Sequence, residues 1–385
     1  MSDSQPKQLS IKQLLALMEK RDASDLYITT GMAPAYRING AVFTLKQAPL
    51  SAAECERLAD STMTERQKAA FSADYEMNLA LSYPDIGRYR VNIFRQRSHV
   101  GMVIRKVKTE VPTIDQLGLP EVFKDIVMSS RGLVLMVGAT GSGKSTSLAA
   151  MIDWRNSQQA GHIISIEDPI EFVHEHKRSV ITQREVGTDT LEFKAALKNA
   201  LRQAPDIILI GEIRDRETME HALEFSETGH LCMATLHANN ANQALERIMN
   251  FFPEEMHAQV SLNLAMNMKA ILSQRLAKTP DERRIPAIEI LINTPRIADL
   301  IGKWNIGEIK ESMAAGKNYG MQTFDQALLN LWMEGQITED EALRHADSVN
   351  NLRLQIKMVD ITDTGGDGNQ LDQLSGGSTS SGLRI

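Results

Sequence analysis

The chain has 385 residues, 42% hydrophobic and 24% charged, with a formal charge of −7. That length exceeds one ordinary core and predicts two domains and a tail, while the acidic balance argues against a nucleic-acid partner gripped through its phosphates. Two cysteines, Cys55 and Cys232, are too few for a four-cysteine zinc site and read as reduced thiols. No stretch reaches the ~18 apolar residues of a membrane span and MSDSQPKQLS carries no signal pattern, so a cytoplasmic location without direct membrane insertion is expected.

Ile11, Leu14, Leu15 and Met18 fall at helical spacing. DLYIT (25–29) and PAYRINGAVFTL (34–45) read as strands, the second turning at Asn39 and Gly40. Ser51 with Glu54, and Thr64 with Gln67, have the spacing of capping boxes that start two helices. Three β-like runs follow, YEMNLALSY, GRYRVNIF and GMVIRKVK. Helices and strands mix here without regular βαβ alternation, so residues 1–108 predict a small α+β domain. TEVPTIDQLGLPE (109–121) holds two prolines and marks the boundary, with 109–118 as a linker.

From residue 119 the pattern becomes strand, loop, helix in repetition: GLVLMVG and a helix from Lys144, the strand HIISIED, the helix FKAALKNALRQ, the strand DIILIGE, the helix ETMEHALEFSE and the strand LCMATLH. Short apolar strands alternating with helices predict an α/β fold with a parallel sheet covered on both faces. Beyond it PEEMHAQVSLNLAMNMKAILSQRL (253–276), TPRIADLIG, TFDQALLNLWMEG and TEDEALRHA read as helices, broken by one strand-like PAIEILI, and this second domain is expected over 119–358. Residues 359–385 are rich in Gly, Ser and Asp and read as a disordered tail.

GATGSGKS satisfies G-x-x-x-x-G-K-[ST] between a predicted strand and a predicted helix, the context that motif requires. Gly138, Ala139, Thr140, Gly141, Ser142 and Gly143 would turn backbone N–H groups toward phosphate oxygens at a helix N-terminus. Lys144 would reach the β- and γ-phosphates, Ser145 would hold Mg²⁺, and Thr146 would extend the pattern toward the α-phosphate; the cofactors are therefore ATP and Mg²⁺.

DIILIGEIR (206–214) is the strand that should present an acid to that metal, but Gly211 stands where an acid is usual and Glu212 is the only carboxylate at the tip. Asp206 lies at the other end, ~17 Å away at ~3.3 Å per residue. A second carboxylate comes from SIEDPIEF, where Glu167, Asp168 and Glu171 surround Pro169 at the end of another strand. Ligands of parallel sheets bind outside the C-terminal strand ends, where Gly138, Glu167 and Glu212 all fall. One carboxylate near Mg²⁺ and one orienting the attacking water is the division that phosphoryl transfer requires; the sequence leaves open which of Glu167 and Glu212 is the base. His237 repeats that position on the fourth strand and is a candidate γ-phosphate or switch residue, with His230 just before the strand. His174 and His176 lack companion cysteines and read as a surface turn.

With the P-loop, SIEDPIEFVHEH, ALRQAPDIILIGEIRDRET and ETGHLCMATLHANNA in order, the chain resembles the secretion-type traffic ATPases, whose Walker A, Asp box, Walker B and His box these are. Within them it is similar to the PilT/PilU branch of type IV pilus retraction ATPases, because the assembly and type II secretion relatives carry a tetracysteine element. PRIADLIGKWN in place of AIRNLIRE, and the extended tail, favour the accessory PilU side. The resemblance implies a PAS-like N-terminal domain, a RecA-like C-terminal domain and a homohexamer peripheral to the inner membrane, working with a platform protein and a sister PilT-like ATPase. It also implies that Arg90 and Arg105, with Arg88 a further candidate, reach phosphates, and that Arg202 and Arg214 belong to the site. Two other readings are a RecA-type nucleic-acid motor and a nucleotide-dependent scaffold with little turnover; 5% aromatic content and the net charge weigh against the first.

Overall fold

The structure is a computed structural model that describes residues 9–107 and 110–363. In its N-terminal part α1 (Ile11–Lys20) starts at a Ser10–Gln13 capping box and buries Ile11, Leu14, Leu15 and Met18. It is followed by β1 (Asp25–Ile28), β2 (Ala35–Ile38), β3 (Ala41–Thr44), α2 (Ala52–Asp60), α3 (Glu65–Asp74), β4 (Glu76–Tyr83), β5 (Gly87–Gln96) and β6 (His99–Val107). Both expected capping boxes form, at Ser51–Glu54 and Thr64–Gln67. The strands make an antiparallel sheet in the order β3-β2-β1-β6-β5-β4. Along β5, Tyr89, Val91 and Ile93 enter the core shared with α1 and α2, which places Arg88, Arg90 and Asn92 on the opposite face.

Residues 110–118, expected to link the two parts, are more than a spacer. Ile114 is buried with Leu119, Phe123 and Ile126 in the core of the larger sheet, leading into α4 (Val122–Val127).

The larger part continues as β7 (Gly132–Val137), α5 (Lys144–Gln158), β8 (Gly161–Glu167), β9 (Ser179–Glu185), α6 (Phe193–Ala200), β10 (Ile207–Ile210), α7 (Arg216–Glu227), β11 (Leu231–Leu236), α8 (Ala241–Met249), α9 (His257–Asn267), β12 (Met268–Lys278), β13 (Arg284–Ile292), α10 (Pro295–Gly302), α11 (Ile309–Ala315), α12 (Phe324–Met333), α13 (Glu339–His345) and α14 (Val349–Asp363). The sheet order is β13-β12-β7-β11-β10-β8-β9, parallel throughout except for the antiparallel β12–β13 edge. Both faces are covered: Leu133, Leu135 and Val137 pack with α6–α9, while Val134 and Met136 pack with α4 and α5.

Three segments depart from the sequence reading. The run expected as one helix over 253–276 is helical only to Asn267, and Met268–Lys278 is the strand β12, paired on both sides. A continuous apolar run in a doubly covered sheet carries no period to separate strand from helix, and backbone pairing decides. Next to β7, β12 holds one extra residue, Lys269, between the partners Met268↔Leu133 and Ala270↔Val134. β9 was not foreseen at all. At the C-terminus α14 runs to Asp363, five residues into the expected tail, because no helix breaker precedes Gly365; the rest of that tail, and the linker's Thr109, lie outside the described residues.

Candidate active site

The loop 138–143 leaves β7 and enters α5 with Gly138, Gly141 and Gly143 at φ of 155°, 78° and 88°. The left-handed region suits glycine, and space forbids other residues: a Cβ on Gly138 would stand 2.6 Å from the carbonyl oxygen of Gln274, and one on Gly143 2.7 Å from the Gln274 Nε2. Gln274, on β12, clamps the loop from below. Its Nε2 donates to the Ser142 carbonyl at 2.8 Å, and its Oε1 accepts from the Ser147 hydroxyl at 2.7 Å. Sequence reasoning missed it because its segment was read as helix; the turn residues Thr279, Pro280 and Asp281 between two apolar runs were the available hairpin signal.

Lys144 lies buried with its ammonium on the carbonyl oxygens of Gly138 and Ala139 at 2.8 and 2.9 Å. Burial holds its pKa below the ordinary lysine value, against the pull of Glu212 and Glu171. Ser142 adds a buried hydroxyl with no partner. An inward-curled glycine loop at a helix N-terminus, a cation at its mouth and an orphaned donor fit a polyphosphate.

The sheet order sets the rest. Moving from β7 through β11 and β10 to β8, the strand ends present the P-loop, His237, Glu212 and Glu167 in turn, so at ~4.8 Å per strand Glu212 lies ~10 Å and Glu167 ~14 Å from the P-loop strand. A cleft of about 710 Å³ is lined by Thr140, Lys144, Ser145, Thr146, Glu167, Asp168, Glu171, Glu212, Arg214 and His237. Glu212 Oε2 is 2.8 Å from Arg214, and Oε1 is 3.1 Å from His237 Nε2. Arg214 also lies 3.5 Å from Asp168. Burial and the nearby Lys144 charge keep the His237 imidazole below its usual pKa. Gly211 has its explanation in packing: a Cβ there would stand 3.1 Å from the Glu167 Cα and 3.2 Å from the Ile166 carbonyl oxygen. The aspartate expected at that position would push β8 away.

Glu167 Oε1 accepts from the Ser165 hydroxyl at 2.7 Å and from Gln183 Nε2 at 3.2 Å. Burial raises its pKa, and the Ser165 and Gln183 donors and the Arg90 charge oppose the rise. The acid loop beyond it is fastened by β9 and by the N-terminal sheet. Glu185 accepts the Ile170 N–H at 3.1 Å, and Arg90 donates to the Ile170 carbonyl. His174, expected on a surface turn, is instead partly buried; burial holds its pKa down at about 4, and its Nδ1 has no partner.

Other expected residues separate. Arg90 and Arg105 are cross-strand partners, but within its own chain Arg105 pairs with the buried Asp25 at 2.7 Å, its side chain 64% exposed, and Arg88 does not line the cleft. Arg202 and His230 are not at the site. Both precede their strands, β10 and β11, and so sit at the end of the sheet opposite the P-loop, Arg202 exposed and His230 3.1 Å from Thr228; flanking a strand in sequence does not fix which end a residue occupies. Asp206 shares that end and accepts the His162 N–H at 2.7 Å. Among the described residues no cluster of His, Cys, Asp or Glu is gathered to hold a metal by itself, and no helix is long and apolar enough to cross a membrane. Both cysteines are free and buried.

A P-loop on the middle of a parallel sheet, with carboxylates on the neighbouring strand ends, defines a P-loop nucleotide-binding protein. The chain belongs to the family described as Type II/IV secretion system protein, whose profile matches residues 1–317. It is 53% identical over 356 residues to the type IV pilus ATPase PilU of Pseudomonas aeruginosa, covering 92% of this chain and 93% of that one. The type IV pilus retraction ATPase PilT of the same organism is 41% identical over 88% of this chain and 98% of its own length. Among solved structures, the pilus retraction motor PilT with bound ADP superposes with a TM-score of 0.84 at 37% identity, over 90% of this chain and 99% of that one.

Proposed function

We propose that this chain is an ATP-hydrolysing motor subunit of type IV pilus retraction, on the PilU side of its family. The observation that carries this is the convergence of Lys144, His237, Glu212 and Glu167 on consecutive strand ends of one sheet, in a chain whose full-length relatives are named as pilus ATPases. In this reading residues 1–108 are a PAS-like unit, 109–118 the connection and 119–358 a RecA-like unit; the separate cores of the two sheets support the division.

The loop N–H groups and Lys144 hold the phosphates of ATP, and Thr146 lies toward the α-phosphate. Ser145 and Glu212 would be the residues to hold Mg²⁺, which would supply charge neutralisation for the phosphates. Glu167 orients the attacking water and takes its proton. Two features favour this assignment over Glu212: both Glu212 oxygens already face cations or His237, and Glu167 is farther from Lys144 with its proton affinity raised by burial. His237, bonded to Glu212, links the γ-phosphate position to the loop after β11. Asp168 and Glu171 shape the mouth, and Arg214 orders Glu212. Arg90 steadies the acid loop of its own chain, while the exposed Arg105 is presented to a neighbouring copy, as a homohexamer requires. The ring works at the cytoplasmic face of the inner membrane, through a platform protein and beside a sister PilT-like ATPase.

The test is Mg²⁺-dependent ATP hydrolysis by the purified chain, alone and with a PilT-like partner, paired with pilus retraction in cells carrying Lys144→Ala. Hydrolysis lost and retraction weakened together are expected. Retraction at full strength with hydrolysis abolished would replace the motor with a scaffold.

A further inference from the structure

Gln183 is a polar residue on β9, two positions before Glu185, and strand alternation turns both side chains toward the loop that follows Glu167. Its amide has three partners. Nε2 donates to Glu167 Oε1 at 3.2 Å and to the Phe172 carbonyl at 2.9 Å, and Oε1 accepts the His174 N–H at 2.9 Å. Two acceptors on one side and one N–H donor on the other fix the orientation of the amide, since the flipped form would oppose donor to donor and oxygen to oxygen. On the carboxylate the two side-chain donors, Ser165 and Gln183, meet the same oxygen, Oε1. Oε1 is pinned by these two side chains, and the Glu171 backbone N–H adds a further donor to the carboxylate. Glu167 also borders a cavity of about 30 Å³, shared with Ser145, His174 and Thr235, so an unpinned carboxylate would have room to turn away from the cleft.

We propose that Gln183 is a positioning residue for hydrolysis, holding the Glu167 carboxylate toward the cleft and tying the Phe172–His174 backbone to that same point. The inference rests on the reading of Glu167 as the base. An ordered base and an ordered loop thus depend on one amide that makes no contact with substrate. The charged and titratable groups around Glu167 are Arg90 from β5, Asp168, Glu171 and His174 from its own loop, Glu185 from β9, Lys144 at the start of α5, and Glu212 beyond β10. Of these, Glu171 also donates to the carboxylate, through its backbone N–H, while Gln183 is the one β9 side chain that does so.

The test uses the full chain with Gln183→Met, which keeps the length of the side chain and removes both ends of the amide. The expected result is a kcat lower by roughly ten-fold with the KM for ATP changed less than about two-fold. Because the lost N–H favoured the ionised carboxylate, the acid limb of kcat moves to higher pH, by about one unit. Gln183→Glu, equal in size but placing a second acid against the first, shifts the limb further in the same direction and supplies the measurement if the methionine variant does not fold. A folded variant with the wild-type kcat and acid limb, even with a lower melting temperature, makes Gln183 merely structural and overturns the proposal. Glu167→Gln run in parallel separates the two failures. If that variant hydrolyses ATP normally, the base assignment falls; if it is inactive while Gln183→Met is unchanged, only the positioning role falls.

Discussion

The loop after β7 and the loop after β8 leave the same edge of one sheet, yet they are held in opposite ways. The first is held by backbone: glycines at positive φ, a lysine on its own loop carbonyls, and a single clamp from Gln274. The second is held by side chains, with Glu185 and Arg90 on Ile170 and Gln183 on Phe172 and His174 from other strands, and Ser165 of β8 itself on Glu167. A backbone cradle fixes phosphate with few residue types and little room to adjust. A loop hung on side chains from two sheets can change its fit when those sheets move, and it follows the acid proposed as the base.

The sharpest way to break this division is at the cradle itself. Lys144→Ala should lower hydrolysis by about 10³-fold and weaken nucleotide binding, read by fluorescent-nucleotide titration; unchanged hydrolysis would remove the P-loop from the site. Glu167→Gln should lower kcat by about 10²–10³-fold while nucleotide still binds, so that binding and rate separate between the two loops. Arg90→Ala, which unhooks the acid loop from the N-terminal sheet, should lower kcat by about ten-fold with little change in KM. Gln274→Leu should do the reverse, raising KM several-fold with a smaller loss in kcat, and equal effects on both constants in both variants would erase the contrast.

The smallest effect is away from both loops. Glu289 on β13 accepts the Ala241 N–H at 2.8 Å just after the His237 loop, and burial raises its pKa from 4.5 to about 7, with Asp347 adding to the rise and Arg275 opposing it. The folded protein then holds this proton more tightly than the unfolded chain, so the associated stability is complete below pH 4.5 and is lost as pH rises through about 7. Glu289→Gln should flatten the fall of melting temperature between pH 5 and 8, and an unaltered slope would show that another group governs it.

The cradle was legible in the sequence because the demands of a phosphate nest fall on glycine, lysine and serine at fixed spacing. The acids at the ends of β8 and β10 were legible because each terminates an apolar run. What supports them was not. Gln183 and Gln274 are single polar residues on strands, and nothing in a one-dimensional pattern says which neighbour a strand will lie against. β9 and β12 went unread for different reasons: the first, SVITQRE, has only Val180 and Ile181 as apolar residues, and the second follows α9 with no glycine or proline at Asn267–Met268. Arg202 and His230 are another matter, since the direction of a parallel strand already assigns residues that precede it to the far end.

The extra residue at Lys269 has a reach well beyond its own position. Every residue after it on β12 is displaced by one step against β7, and one step on a strand exchanges its two faces. That offset sends Gln274 to the P-loop and Arg275 to the opposite side, where its guanidinium lies 3.8 Å from the centre of the Phe324 ring and 2.6 Å from Asp347. Cut out Lys269 so that each later residue slides back one place against β7, and the faces exchange: Arg275 takes the place of Gln274 beneath the P-loop, and Leu276 takes the place of Arg275. A single inserted residue decides which side chain clamps the P-loop.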